Sequence, residues 1–172
     1  MIHDQIAARL EQAFSQHGFA EPSVAELKIA AGVSLRTLYR HFPSKEAMVM
    51  GALQHRHCRY LNFLDAGEPD PGSESITHLF QRLAAWMTHY APHGCLSMSA
   101  LGAFPGNPLI HERVKRHKEE MIELMARRSG REEVARELHL LHEGASAAWP
   151  LLGMQAIHSA EKIALLLIRG EH

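Results

Sequence analysis

Between Gly32 and Lys45 this 172-residue chain places Arg36, Arg40 and Lys45, with His41 among them, and neither aspartate nor glutamate. The formal net charge is only −1, but where charge sits decides more than its sum whether a protein meets a polyanion. The side chains are those that read duplex DNA. Arg36 can donate two parallel hydrogen bonds to guanine, while Leu35 and the Thr37 methyl suit a thymine methyl; a good bidentate pair discriminates by about 1–3 kcal/mol. Ser34 and Arg40 lie on the same stretch. Ser23, Tyr39, His41 and Lys45 suit phosphate oxygens, which fix register without reading bases. The competing reading of the three cations is an ordinary solvated face.

The elements around these residues decide which reading holds. Ser23 followed by Glu26 is a capping box, and Val24, Leu27 and Ala31 share one helical face behind it. Gly32 permits a sharp turn, Val33 plugs it, and Ser34 caps a further short helix that reaches His41 before Pro43. Two short helices joined by about three residues make a helix-turn-helix, whose second helix enters the major groove. Leu27, Leu38 and Phe42 lie on apolar stripes and are read as core. Ahead of them, Ile6, Leu10, Ala13, Phe14 and His17 mark a first helix closed by Gly18.

Downstream, Ser44 starts a long helix to about Leu64, and the Gly- and Pro-rich stretch from Ala66 to Ser73 breaks it. Ile76 to Tyr90, Cys95 to Ala103 and Ile110 to Met125 are read as helices. Val134 to Trp149 follows in the same period, with Pro150 expected to kink or end it, and Ser159 is expected to cap a last helix, Ala160 to Arg169. No stretch alternates with period two. The reading is all-α with about nine helices.

Hydrophobic residues are 46% and charged residues 22% of the chain, ordinary values for a folded protein. The opening MIHDQIAARLEQAF matches no secretory signal, and no run approaches the roughly 18 apolar residues of a membrane span; a cytoplasmic protein without membrane association is expected. Cys58 and Cys95 are too few for a disulfide framework and are expected as free thiols. No phosphate loop, nucleophile elbow or dinucleotide fingerprint occurs, so no catalytic residue, enzyme activity or cofactor is assigned. Fourteen histidines raise metal binding. His139 and His142 lie three apart and His55, His57 and Cys58 cluster, yet no spacing matches an established zinc pattern, and no metal ligand is assigned.

Phe14, Gly18-Phe19, Ser23 to Leu27, Ala31 to Ser34, Thr37-Leu38-Tyr39 and His41 to Ala47 together resemble the N-terminal domain of TetR-type transcriptional regulators. The resemblance implies a DNA-binding head over residues 1–46 and a ligand-binding, dimerising body over 47–172. It departs from the family at Lys28, where a small residue is usual, so the lysine stem must snorkel outward or the helix pair must open. The chain also begins almost at its first helix, without the basic arm many relatives carry, which implies modest, salt-dependent affinity.

For the body, the resemblance implies an internal effector cavity and a four-helix dimer interface. The facing stripes nominate Trp86, Tyr90, Met98, Leu101, Phe104, His117, Met121, Met125, His142 and Trp149 as lining, with methionines adaptable enough for a sensor and equally suited to a filled core. Dimerisation is assigned to Leu138, Leu141, Ala145, Ala148, Ile163, Ala164 and Leu167. The expected function is repression from a palindromic double-stranded operator by a homodimer, relieved by a small-molecule effector. Competing expectations are a helical ligand-binding protein that has lost DNA binding, and a metal-responsive regulator.

Overall fold

The computed structural model describes residues 1–170. Among them are nine α-helices and no strand: α1 Ile2–His17, α2 Val24–Ala31, α3 Leu35–His41, α4 Lys45–Asp65, α5 Ser73–Tyr90, α6 Leu96–Ala103, α7 Pro108–Ser129, α8 Ala135–Leu152 and α9 Met154–Arg169. A 3-10 turn, Glu132–Val134, leads into α8. Among these residues no helix is long and apolar enough to cross a membrane.

Two elements differ from the sequence reading. α8 runs past Pro150 to Leu152, because a proline in the last turn forfeits only one backbone bond and the helix ends at Gly153 regardless. α9 begins at Met154 rather than Ala160: Gly153, at φ 53°, reverses the chain at once, and Ser159 lies inside the helix.

The chain forms two compact units. The first joins Met1–Arg59 with Leu96–Arg116, and the second joins Tyr60–Cys95 with the chain from His117 onward. The chain therefore passes from one to the other within α4, between Cys95 and Leu96, and within α7, while the turn after Ala66 separates α4 from α5 inside the second unit.

The first unit's core holds Leu10, Phe14, Leu27, Leu38, Phe42, Met48 and Leu53, joined by Leu96, Ala100, Ile110 and Val114 from α6 and α7. Leu27, Leu38 and Phe42 are buried as expected, and each such side chain contributes about 1.5–3 kcal/mol by leaving water. The Phe42 ring packs so closely on Gly51 of α4 that a Cβ there would lie 2.3 Å from it. Polar groups fasten the same unit. Glu11, only 4% exposed, receives His55 Nδ1 at 2.6 Å, Arg56 Nη1 at 3.2 Å and Arg59 Nη2 at 2.6 Å, tying α1 to α4.

The second unit's core combines Leu64, Ile76, Leu79, Phe80 and Leu83 with Leu124, Met125, Leu138, Ile157 and Ala164. Arg128, fully buried, donates to the Leu64 carbonyl at 2.6 Å and to Asp65 at 3.3 Å and forms an ion pair with Glu68 at 3.0 Å, closing the loop that carries Gly67 and Pro69.

Candidate nucleic-acid interface

Ser23 accepts from the Glu26 backbone N–H at 3.3 Å, and the Ser23 N–H donates to the Glu26 carboxylate at 2.8 Å. The box is reciprocal, so α2 starts at a fixed residue. At its other end Gly32 takes φ 64°, ψ 34°, the left-handed conformation that L side chains disfavour. Arg9 donates to the Ala31 carbonyl at 2.8 Å, holding the end of α2 against α1. The Ser34 hydroxyl then accepts from the Thr37 N–H at 3.1 Å and opens α3.

The resulting α3 buries Leu38 and turns the opposite side outward. Leu35 is 45% and Tyr39 41% exposed, and Ser34, Arg36 and Arg40 are exposed as well. Among the described residues neither Arg36 nor Arg40 has an ion-pair partner, so both guanidiniums keep their donors for another molecule. Thr37 is half-buried, its hydroxyl 2.9 Å from that of Ser34, which leaves mainly its methyl for contact.

The nominated phosphate contacts are placed less uniformly. Ser23 is exposed, but its hydroxyl donates to the Glu26 carboxylate at 2.7 Å, and that negative group stands beside the end of α2. Ser23 and its backbone hold the Glu26 carboxyl below its usual range. Lys45 Nζ reaches the Ala20 carbonyl at 3.4 Å and braces the α1–α2 loop. His41 is half-buried with Nε2 covered and unbonded, and its ring lies 5.9 Å from that of His3. The sequence reading missed His3, whose ring also sits 4.6 Å from Phe42; a single exposed histidine ahead of the first apolar stripe carries no pattern to follow. Lys28 is half-buried, and its carbonyl accepts the Val33 N–H at 3.4 Å across the turn between α2 and α3.

The nominated effector lining divides between the two units. In the second, the Trp86 ring lies tilted against Tyr60 at 4.8 Å and Tyr90 at 4.9 Å, and Phe63 lies 5.4 Å from it. The Tyr60 hydroxyl is 2.6 Å from His142 Nε2. Met121, Met125 and His117 are buried there, and Trp149 packs half-buried against the same core. Met98, Leu101 and Phe104 belong to the first unit: Leu101 and Phe104 pack on its core, Phe104 edge-on to Phe19 at 6.3 Å, and Met98 is 51% exposed. Tyr60 and Phe63 come from α4, where residue spacing alone carries no sign that they meet Trp86.

α8 brings His139, His142 and Glu143 together. Burial drives His139 down to about 4, so it is neutral near neutral pH. Burial pushes Glu143 up, but His142 and the Lys118 ammonium outweigh it and hold the carboxyl at about 2. Lys118 sits 2.7 Å from Glu143 and is held above its usual range against burial by Cys95 and Glu143. Cys58 and Cys95 are free thiols.

Of the nominated dimer residues, Leu138, Ala145 and Ala164 are buried within the protomer, Leu141, Ala148 and Leu167 are half-buried, and Ile163 is 48% exposed. The apolar face left outside lies further round α8, at Leu140 (68%) and Leu151 (90%) with exposed Gly144 and Ala147 between them. Leu138, Ala145 and Ala164 face the protomer's own core, whereas Leu141, Ala148, Ile163 and Leu167 keep accessible surface.

Residues 6–50 match the sequence model of bacterial regulatory proteins of the tetR family. No curated protein sequence matches the chain. Among solved structures, a TetR-family transcriptional regulator from Streptomyces coelicolor superposes with a TM-score of 0.81 at 18% identity, covering 98% of this chain and 97% of the other. A TetR transcription regulator from Haloarcula marismortui gives 0.77 at 16% identity over 98% and 97%, and one from Legionella pneumophila 0.70 at 17% over 93% and 93%. At such identities the likeness is one of fold.

Proposed function

We infer that this chain, a TetR-type protein by its residues 6–50 and by its fold, is a DNA-binding transcriptional regulator that represses from a palindromic operator and is released by a small effector. The observation that carries the reading is the outer face of α3, where Leu35, Arg36, Tyr39 and Arg40 stand exposed on a helix started by Ser34 and free of acidic neighbours. Such a face meets base edges with Leu35, Arg36 and Thr37, while Ser34, Tyr39 and Arg40 contact the backbone. Ser23 and Lys45 complete the proposed contact set once their present hydrogen bonds are exchanged for phosphate, and His41 joins them once its ring turns outward.

Two copies are needed to read a palindrome, with half-sites about one helical turn apart or a multiple of it. The face proposed to join them is Leu140, Gly144, Ala147 and Leu151 on α8 with Ile163 and Leu166 on α9, because these apolar groups are unspent inside the protomer and the small residues permit close helix approach. The functional division proposed is a head over residues 1–46 and a body over 47–172, in a cytoplasmic protein.

The effector is proposed to meet Trp86, Tyr90, His117, Met121, Met125, His142 and Trp149, with Tyr60 and Phe63 beside them. Met98, Leu101 and Phe104 are proposed to transmit its presence, since α6 shares a core with the head. Binding then shifts the dimer to a state in which the two α3 helices no longer match adjacent grooves.

The test is selection of random duplex DNA by the purified full-length protein. The reading predicts enrichment of one palindrome. Failure to enrich any sequence, in a folded dimer at low salt, contradicts it.

A further inference from the structure

We propose that α8 carries a binding site for a divalent ion of the zinc class, held by His139, His142 and Glu143. The assignment stands on the geometry of the second unit and goes beyond the regulatory reading without depending on it.

Residues at i, i+3 and i+4 share one face of a helix, so a backbone alone aligns the three donors. Their ligand atoms lie within 4.8 Å of one another. An ion bound at about 2.0–2.2 Å from imidazole nitrogen and carboxylate oxygen brings its donors to within roughly 4 Å, so only small side-chain rotations separate this cluster from a coordination set.

Three further observations point at a ligand. His139 is 7% exposed, yet its Nδ1 is buried without any hydrogen-bond partner. Leaving such an atom unpaired costs stability that a bound ion would recover. His142 is oriented from behind, with Nε2 2.6 Å from the Tyr60 hydroxyl and Nδ1 3.4 Å from Glu143. An outer hydrogen bond of that kind fixes the ring and tautomer of metal-ligating histidines. Lastly, Lys118 Nζ lies 2.8 Å from Glu143 Oε1 and 2.7 Å from Oε2. The ammonium occupies the cationic place beside the carboxylate and is an internal competitor, on a stem flexible enough to withdraw.

Two imidazoles and a carboxylate suit zinc, cobalt or nickel, whereas calcium and magnesium ask for oxygen donors. Three protein ligands leave a coordination position open to water or to a small anionic or thiol molecule. Tyr60 acts as a positioning residue through His142.

The experiment titrates the chelator-treated full-length protein with Co²⁺, followed by visible absorption, and with Zn²⁺, followed by calorimetry. One ion per chain is expected, with cobalt bands of a low-coordinate site. His139→Gln and Glu143→Gln should each weaken binding by more than about a hundredfold and Tyr60→Phe by about tenfold or more, since losing an outer partner alone typically costs 10–100-fold. Lys118→Met removes the competitor and should tighten binding, whereas His158→Gln, at an exposed histidine, should change nothing. Circular dichroism of each variant establishes that it is folded, and the Lys118→Met and Tyr60→Phe titrations retain the wild-type ligands should His139→Gln fail to fold. The proposal is overturned by absence of stoichiometric uptake, by uptake indifferent to His139→Gln and Glu143→Gln in folded protein, or by weaker binding in Lys118→Met.

Discussion

Replacing Glu11 by alanine should loosen the unit that presents α3 without touching any side chain proposed to meet DNA. Glu11 is 4% exposed, and three cationic or ionisable groups of α4 converge on it. They do not contribute equally. Arg59 and His55 have side chains 38% and 27% exposed, so water replaces much of what they lose, and each arm is worth about 0–1 kcal/mol. The Arg56 side chain is 10% exposed and would keep only part of its hydrogen bonding, such as that to Ser15 at 3.2 Å. Removing one partner of a buried pair costs about 3–5 kcal/mol, and the exposed arms argue for the lower end, about 3 kcal/mol. For a chain of this size each kcal/mol moves Tm by about 2–4 °C, so a fall of about 6–12 °C is expected by differential scanning calorimetry. A fall below about 2 °C would mean that the α1–α4 ion network is not what holds these helices together.

Gly32→Ala puts an L side chain at φ 64° and a Cβ 2.2 Å from Arg9 Nη1; a loss of about 1–2 kcal/mol in urea unfolding is expected, with operator binding weakened alongside. Leu151→Glu places a charge on a residue 90% exposed in the protomer, and analytical ultracentrifugation should find monomers where the parent is a dimer, with unchanged helical content. In chelator-treated protein, His139 gives a directional pH effect. Its folded value of about 4 lies below the ordinary 6.5, so the unfolded chain binds the proton more readily between them; stability is full above 6.5 and declines as pH falls toward about 4. The urea midpoint of wild type should therefore fall relative to that of His139→Gln as pH is lowered from 7 to about 5.

The head was readable because its signals are local. A serine three residues before a glutamate, a glycine where a left-handed turn is needed and a serine opening the next helix each act within a few residues, and α2 and α3 form where they predict. Helix count was readable for the same reason. What periodicity could not settle is which apolar side chains a helix spends internally: Leu138, nominated for the interface, is buried in the protomer's own core, while Leu140 two residues on is 68% exposed. Nor could it place partners distant in sequence. Tyr60 meets His142 across 82 positions and Lys118 meets Glu143 across 25, so the cluster on α8 was visible only as two histidines three apart. Pro150 stands in the last turn of α8, which ends two residues later at Leu152, before Gly153.

The central claim is that α3 reads bases, and Arg36 tests it most directly. Once a preferred duplex has been selected, wild type and Arg36→Ala should be titrated against it and against duplexes altered at each guanine. The account predicts that Arg36→Ala loses about 1–3 kcal/mol, roughly 5- to 150-fold, and no longer distinguishes one of those guanines. Unchanged affinity with unchanged base preference would contradict it.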